Sequence, residues 1–181
     1  TMIFGQLLTG SNYDDEEDRI VSGRNGLGIK LTNIFSRELT VRGADPVNKL
    51  TLEQTWRDNM RKTDGPSTKR LTTQSRYTEV SWIPDFTRFG LTGYTDDLIE
   101  LYTRYVIDAA MLTKVNVYLN DDLIPVRTLQ DYAQLYSAPT DEKLLIKTPD
   151  VEVLLTPSTE FQSVSFVNGV YTRLGGQHVD A

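Results

Sequence analysis

Cysteine is absent from this sequence, and histidine occurs once, at position 178. The absence of cysteine excludes disulfide bonds and thiolate chemistry, and a single histidine excludes a metal site built from several imidazoles. The sequence also lacks any apolar run of about 18 residues and any charged-then-apolar leader. It therefore contains no sign of a membrane span or a secretory signal.

Positive charge is scarce relative to negative charge. The 19 lysines and arginines are outnumbered by 25 aspartates and glutamates, which gives a formal net charge of −6. Because DNA binding without sequence preference depends on many basic contacts to phosphates, any DNA contact of this chain is expected to be local. The acidic run at residues 14–18 is interpreted as solvated surface rather than a metal site, since adjacent carboxylates repel each other.

The length and composition suit a folded protein. With 181 residues and 39% hydrophobic content, the chain is long and apolar enough for one or two domains, each with a core.

A glycine-containing segment, residues 23–30, carries the strongest chemical signal. It reads Gly-Arg-Asn-Gly-Leu-Gly-Ile-Lys, and apolar residues at helical spacing follow it. Glycines allow the backbone to turn its N–H groups toward an anion where a helix begins, and Arg24 and Lys30 add positive charge. The pattern predicts a phosphate site, with an ordinary turn and solvated cations as the alternative.

The residues after this loop predict a helix followed by a hairpin. Apolar residues recur at helical spacing and are expected to form the buried stripe of the helix. They are Leu27, Leu31, Ile34 and Phe35. Alternation then predicts strands at Leu39–Val41 and Leu50–Trp56, with a turn at Asp45–Asn48. Residues 57–76 are polar and mostly basic, so they are interpreted as a solvated connection, with DNA contact as the alternative.

The second half of the chain begins with a strand and a long helix. Tyr77–Ile83 is predicted to be a strand because of its β-branched and aromatic residues, and Pro84 ends it. Thr95 is predicted to cap a helix with a long apolar stripe. The stripe consists of Leu98, Leu101, Tyr102, Tyr105, Val106 and Ala109.

Shorter elements follow this helix. A second hairpin is predicted over residues 115–126 and a short helix over Thr128–Tyr136. The breaker-rich residues 137–141 form the predicted domain boundary. Beyond it, strands are predicted at Lys143–Ile146, Val151–Leu155 and Gln162–Val167, then a turn at Asn168-Gly169 and the start of a helix near the end.

Five segments occur together in a distinctive order. They are Ile3–Asp15 (IFGQLLTGSNYDD), Gly23–Ser36 (GRNGLGIKLTNIFS), Gln54–Met60 (QTWRDNM), Tyr77–Asp85 (Tyr-Thr first, Pro-Asp last) and Ser165–Asp180 (SFVNG, then GGQHVD). Together they resemble the ATPase region of type IIA DNA topoisomerases from eukaryotes and large DNA viruses. The resemblance covers nearly the whole chain, and the ordered set is far more specific than the glycine loop by itself.

This resemblance implies an α+β fold in two parts. Residues 1–137 would form the C-terminal half of a GHKL (Bergerat) ATPase domain, with the ATP lid and a mixed sheet covered by helices on one face. Residues 138–181 would form the first strands of a transducer domain with ribosomal-protein-like α/β topology. Both ends of the chain would then be cuts through a longer protein.

The resemblance also implies an ATP site that requires Mg²⁺. Arg24, Asn25, Lys30 and the loop amides would hold the triphosphate, and Thr78, a hydroxyl on a core strand, would help recognise adenine. Ser11 and Asn12 would contact the ribose and phosphate side. The implied ATP-binding residues are Ser11, Asn12, Arg24, Asn25, Gly26, Leu27, Gly28, Ile29, Lys30 and Thr78.

The sequence departs from the family pattern in two places. Gly10 stands where the family commonly has a second serine, and Leu27 replaces a common aromatic residue. No residue of the chain is assigned a catalytic or metal-binding role. The family's general-base glutamate and Mg²⁺-binding asparagine are expected upstream of Thr1, and its transducer lysine beyond Ala181. The isolated chain is therefore expected to lack ATPase activity.

The function implied by the resemblance is that of an ATP-dependent type II DNA topoisomerase. ATP would close an N-terminal gate of a homodimer while one DNA duplex passes through another, with no membrane partner. The location would be the nucleus for a cellular enzyme, or the host cytoplasm or virion for a viral one. The alternatives are another GHKL ATPase, of chaperone or mismatch-repair type, and a catalytically inactive dimerisation or DNA-contact module.

Overall fold

An antiparallel sheet with helices on one face forms the first of two compact units. The computed structural model describes residues 1–10, 12, 21–72 and 75–180. The first unit comprises the described residues of Thr1–Arg19 and Gly23–Gly93. Its elements are α1 (Met2–Gly5), α2 (Gly28–Ile34), β1 (Ser36–Asp45), β2 (Leu50–Arg57), β3 (Lys62–Arg70), β4 (Tyr77–Pro84) and a 3₁₀ helix (Phe86–Phe89).

The core of this unit lies on one face of the sheet, whose strand order is β3-β2-β1-β4. Leu39 pairs with Trp56 on one side and Trp82 on the other, which places all three on the same face. Leu39, Val41 and Trp56 are buried together, and Phe4 of α1 and Ile29 of α2 pack against them. The predicted hairpin and the α+β class are confirmed.

One strand is missing from the sequence prediction. Residues 62–70, interpreted as part of a basic connection, form β3, which pairs antiparallel with β2. Every residue of β3 is exposed, so the strand has no buried face and no alternating pattern. It also contains Pro66, which an edge strand tolerates because its N–H need not join a ladder. Main-chain pairing rather than side-chain burial therefore defines β3.

The buried face of α2 also differs from the prediction. The helix begins at Gly28 as expected, but Leu31 of the predicted stripe is 44% exposed. Its buried residues are Lys30 and Asn33. Asn33 Nδ2 donates a hydrogen bond of 3.0 Å to the carbonyl oxygen of Phe4, which ties α2 to α1. The helix is oriented by polar side chains, which an apolar periodicity does not detect.

Asp85, directly after β4, joins several segments of the first unit. Its carboxylate accepts hydrogen bonds from Thr87 Oγ1 at 2.7 Å and Asn59 Nδ2 at 3.1 Å. Arg37 Nε lies 3.5 Å from the same carboxylate. These contacts, with the Thr87 hydrogen bond the largest, lower the pKa of Asp85 below its ordinary value. The ionised form is therefore the one that the fold prefers.

We expect Asp85→Asn to destabilise the chain at pH 7 but not in strong acid. The pKa of Asp85 is lower in the folded chain than its value of about 3.9 in the unfolded chain. The stabilisation by its carboxylate is therefore present above pH 3.9 and is lost as the pH falls through the pKa of the folded chain. Urea unfolding of both proteins between pH 7 and pH 2 measures this difference. Glu142→Gln, at an exposed position, is the control. If the difference in the free energy of unfolding between wild type and Asp85→Asn is the same at every pH, the prediction is wrong.

The second unit consists of one long helix and several short elements. It comprises the described residues of Ile20–Ser22 and Tyr94–Ala181. Its elements are α3 (Asp96–Thr113), β5 (Tyr118–Leu119), β6 (Asp122–Leu123), α4 (Leu129–Ala133), β7 (Leu144–Lys147), β8 (Glu152–Leu155), β9 (Phe166–Val167), β10 (Val170–Tyr171) and α5 (Gln177–Asp180). The units describe packing, so the predicted domain boundary after residue 137 stays a prediction.

The short strands of this unit pair as antiparallel hairpins. β5 pairs with β6, β7 with β8, and β9 with β10. The turns at Asn120-Asp121 and Asn168-Gly169 have positive φ at both residues, as tight hairpin turns require. The hairpin predicted over residues 115–126 and the strands predicted at Lys143–Ile146 and Val151–Leu155 are confirmed. The strand predicted over Gln162–Val167 is limited to Phe166–Val167.

α3 begins as predicted but buries a different face. The Thr95 hydroxyl accepts a hydrogen bond of 3.3 Å from the Leu98 N–H, which confirms the cap. Tyr105 of the predicted stripe is 53% exposed, whereas Asp108 and Met111 are buried. The buried face of α3 carries the carboxylate of Asp108. A pattern based on apolar residues therefore did not identify this face. Neither α3 nor any other helix among the described residues is long and apolar enough to cross a membrane.

Candidate nucleotide-binding loop

The glycine loop leads directly into α2, as the sequence predicts. Gly26 has φ of +60°, a conformation that glycine adopts without the steric cost of a side chain. Leu27 is the N-cap of α2, and no side chain caps this helix start. The first N–H groups of a helix have no partner within the helix, so the amides after Leu27 can bind an anion.

Lys30 is the buried cation of this loop. It lies in the first turn of α2, and only 3% of its surface is exposed. No hydrogen bond or ion pair involving its ammonium group occurs among residues 1–10, 12, 21–72 and 75–180. The side chain of Lys30 is therefore held by packing, and this fixes where its ammonium group can meet a bound anion. The sequence predicted the position of this lysine but not its burial.

Asn12 contacts the beginning of the loop. Its Nδ2 donates a hydrogen bond of 2.8 Å to the carbonyl oxygen of Gly23. The structure therefore brings together two parts of the predicted site that are 11 positions apart in the chain. Ser11 and the acidic run at residues 14–18 lie outside the described residues.

The other predicted residues of the loop differ in the exposure of their side chains. Arg24 and Asn25 are exposed. The side chain of Ile29 packs against the core cluster of Leu39, Val41 and Trp56. Only the main chain of Ile29 can therefore contact a ligand.

Thr78 lies on β4, opposite Gly43 of β1. It is two residues before Val80, which packs on the core cluster, so both side chains share the face on which Ile29 of α2 packs. Within the described sheet β4 is an edge strand and Thr78 is exposed, and its role in adenine recognition stays a prediction. An exposed hydroxyl on the helix-covered face can still reach a ligand on that side.

The described residues provide phosphate-binding chemistry rather than a metal site. No group of three or more histidine, cysteine, aspartate or glutamate side chains comes together in the described part of the chain. The ammonium group of Lys30 and the open amides of α2 fit an anionic, phosphate-bearing group.

A cavity of about 490 Å³ lies elsewhere, in the second unit. It is lined mainly by apolar side chains from α4, from the end of β8 and from the segment after β8, including Leu129, Leu154 and Phe161. No residue of the predicted ATP site contributes to it.

Comparison with solved structures identifies the fold. The ATPase region of Saccharomyces cerevisiae topoisomerase II superposes with a TM-score of 0.89 at 38% identity, covering 99% of this chain and 48% of that chain. The ATPase and transducer domains of DNA topoisomerase II from Balamuthia mandrillaris superpose with a TM-score of 0.88 at 38% identity, covering 99% and 47%. The chain therefore has the fold of part of an ATPase region of this kind.

Sequence comparison agrees with the structural comparison. No protein-family model matches the sequence. DNA topoisomerase 2 of Invertebrate iridescent virus 6 is 40% identical over 187 residues, which cover 99% of this chain and 16% of that protein. Over nearly its whole length the chain is similar to type II DNA topoisomerases, and it spans about one sixth of the length of this relative.

Proposed function

We propose that the whole protein containing this chain is an ATP-dependent type II DNA topoisomerase. ATP binding and hydrolysis would close the gate of a homodimer while one DNA duplex passes through a break in another. The similarity to DNA topoisomerase 2 and the ATPase-region fold support this proposal. The observation that carries it is Lys30, a lysine with a buried side chain in a loop whose following helix has open amides.

Within this function, the loop would hold the triphosphate of ATP. Lys30 and Arg24 would neutralise phosphate charge, and main-chain N–H groups around Gly26 and Gly28 would donate hydrogen bonds to phosphate oxygens. Asn12 and Ser11 would contact the ribose and phosphate side, and Thr78 the adenine. The contact between Asn12 and the Gly23 carbonyl supports placing Asn12 beside the phosphates.

Mg²⁺ would bind together with ATP and would neutralise charge on the β- and γ-phosphates. We expect phosphate oxygens to supply part of its coordination, since the described residues contain no cluster of three carboxylate or imidazole ligands. The water-activating base is expected outside this chain.

Three further parts of the proposal concern organisation. Residues 1–137 would belong to the ATPase domain and residues 138–181 to the transducer domain. The partners would be double-stranded DNA and a second copy of the protein. The protein would act in the nucleus if it is cellular, or in the host cytoplasm or virion if it is viral.

The proposal predicts ATP-dependent relaxation of supercoiled DNA by the whole protein. Relaxation should require Mg²⁺ and should stop when a non-hydrolysable ATP analogue replaces ATP, because the gate then closes without reopening. Gel electrophoresis of plasmid topoisomers measures the reaction. ATP hydrolysis without relaxation would instead indicate a chaperone or mismatch-repair type of ATPase. A protein that binds no nucleotide would indicate an inactive dimerisation or DNA-contact module.

A further inference from the structure

One end of the four-stranded sheet carries three exposed basic residues. Lys49 directly precedes β2, Arg70 is the last residue of β3, and Arg76 directly precedes β4. Strand pairing brings them to the same end of the sheet, because Arg70 pairs with Leu50 and the residue after Arg76 pairs with Ala44. We call these three residues the basic end of the sheet.

The basic end extends across the whole width of the described sheet. β3 and β4 are its two edges, and β2 and β1 lie between them. With about 4.8 Å between neighbouring strands, the backbones of Arg70 and Arg76 are separated by about 14 Å, and Lys49 lies between them. Lys69 does not belong to this set, because neighbouring residues of a strand point to opposite faces and Lys69 shares its face with Glu53.

The three cations of the basic end have no ion pair with any carboxylate in the part of the chain that the structure describes. Cations near the opposite end of the sheet differ in this respect. Arg57 Nε lies 3.0 Å from Glu38 Oε2, and Lys62 Nζ lies 2.6 Å from Asp58 Oδ2. The positive charge of the basic end is therefore available to a partner outside the described chain.

The carboxylate close to Arg76 is that of Asp45, and it is already occupied by the turn after β1. It accepts hydrogen bonds from the N–H groups of Val47 and Asn48 and from the side-chain amide of Asn48. The hydrogen bonds from Asn48, and to a smaller extent the charge of Arg76, lower the pKa of Asp45. Asp45 carries one negative charge against three positive ones, so the basic end remains positive.

We propose that the basic end of the sheet binds backbone phosphates of double-stranded DNA. The proposal rests on the proposed function and adds to it a DNA contact in the first unit. One DNA strand places a phosphate at about every 3.4 Å of helix axis, so a span of about 14 Å offers about four phosphates to the three side chains. Lys and Arg contacts with phosphates carry no sequence information, so this contact should not depend on the DNA sequence.

The charge of the rest of the chain favours a local contact of this kind. The net charge is −6, so the chain as a whole repels DNA. A cluster of cations without internal partners can overcome this repulsion only where it lies. The regular spacing of cations across the sheet suits the regular spacing of phosphates along a duplex.

Lysine footprinting on the whole protein tests where DNA makes contact. An amine-acetylating reagent is applied with and without a short DNA duplex of mixed sequence, and mass spectrometry measures the modification of Lys49 and Lys62. We expect DNA to protect Lys49 severalfold and to leave Lys62 unchanged. Equal modification of Lys49 with and without DNA would overturn the proposal. Protection of Lys49 by a glutamate-rich peptide but not by DNA would also overturn it, because it would indicate an acidic protein partner.

The salt dependence of DNA binding counts the contacts. The double variant Lys49→Gln, Arg70→Gln is compared with Arg61→Gln, Lys62→Gln, which removes the same charge from the opposite end of the sheet. Fluorescence anisotropy measures the affinity of the whole protein for the duplex between about 50 and about 200 mM salt. We expect the first variant to reduce the slope of log affinity against log salt by about 1.8, and the second to keep the wild-type slope. The same slope in both variants contradicts the proposal.

The outcomes also separate this proposal from the proposed function. A whole protein that relaxes supercoiled DNA but shows no protection of Lys49 retains the function and overturns the contact. A protein in which DNA protects Lys49 but which lacks ATP-dependent relaxation supports the contact and contradicts the topoisomerase activity.

Discussion

Replacing Lys30 with methionine is expected to abolish measurable binding of an ATP analogue while leaving the fold at least as stable as wild type. Methionine has a similar length but no charge, so it retains the packing of a side chain that is 3% exposed. Removing one partner of a buried charge pair costs about 2–5 kcal/mol, which corresponds to about thirtyfold or more in affinity. Without the nucleotide, the substitution should leave stability unchanged, because the ammonium group makes no hydrogen bond or ion pair with the described residues.

Calorimetric titration of the whole protein and thermal unfolding of the nucleotide-free 181-residue chain test the two halves of this expectation. Lys69→Met is the matched control, because Lys69 is an exposed lysine on β3 and lies outside the proposed site. Lys69→Met should change neither the affinity for the ATP analogue nor the unfolding temperature. The expectation is wrong if Lys30→Met retains wild-type affinity, or if it lowers the unfolding temperature of the chain by many degrees.

Loss of binding without loss of stability would distinguish a functional lysine from a structural one. A lysine that served only the fold would have a carboxylate or carbonyl partner, and its loss would destabilise the chain. Lys30 has no such partner in the described part of the chain, so the fold does not depend on its charge.

The elements that the sequence predicted correctly are those whose local chemistry agrees with the fold. Apolar and polar residues alternate in the sequence at Leu39–Val41 of β1 and Leu50–Leu52 of β2. In the turn between these strands, the Asp45 carboxylate accepts hydrogen bonds from the Val47 and Asn48 N–H groups. Thr95 and Thr128 cap α3 and α4 with their hydroxyl groups. Turns and caps involve neighbours in sequence, so a pattern of a few residues determines them.

The elements that the sequence mispredicted depend on distant residues. β3 is a strand because β2 offers it hydrogen bonds, and no feature of its own residues indicates this. α2 and α3 each bury a polar side chain, Asn33 and Asp108, whose partners lie 29 and 24 positions away. A polar residue on a buried face is acceptable only when such partners exist, and periodicity contains no information about them.

In the candidate site, too, features that depend on neighbours in sequence were predicted and features that depend on distant residues were not. The glycine spacing identified the loop and its position before a helix, because both depend on adjacent residues. The burial of Lys30 and the contact between Asn12 and Gly23 depend on the folded chain.

The buried carboxylate of Asp108 organises the second unit. Tyr132 Oη donates a hydrogen bond of 2.6 Å to Asp108 Oδ1, and Arg104 Nε lies 3.4 Å from the same oxygen. The Arg104 guanidinium also lies over the ring of Tyr171, 4.8 Å from its centre. Burial and the hydrogen bond to Asp108 raise the pKa of Tyr132, so its hydroxyl remains a donor. The cluster thereby connects α3, α4 and β10.

Asp108→Ala should therefore destabilise the second unit by about 3–5 kcal/mol, because it leaves the buried Tyr132 hydroxyl and the Arg104 guanidinium without their acceptor. The Nη2 atom of Arg104 already has no hydrogen-bond partner, so little compensation is available. Tyr132→Phe should cost less, about 1–2 kcal/mol, since it removes one donor but keeps the ring. Urea unfolding of the chain measures both changes, with Glu100→Ala at an exposed position of α3 as control. If Asp108→Ala and Glu100→Ala unfold at the same urea concentration, the cluster contributes no stability, and the polar face of α3 must be buried for another reason.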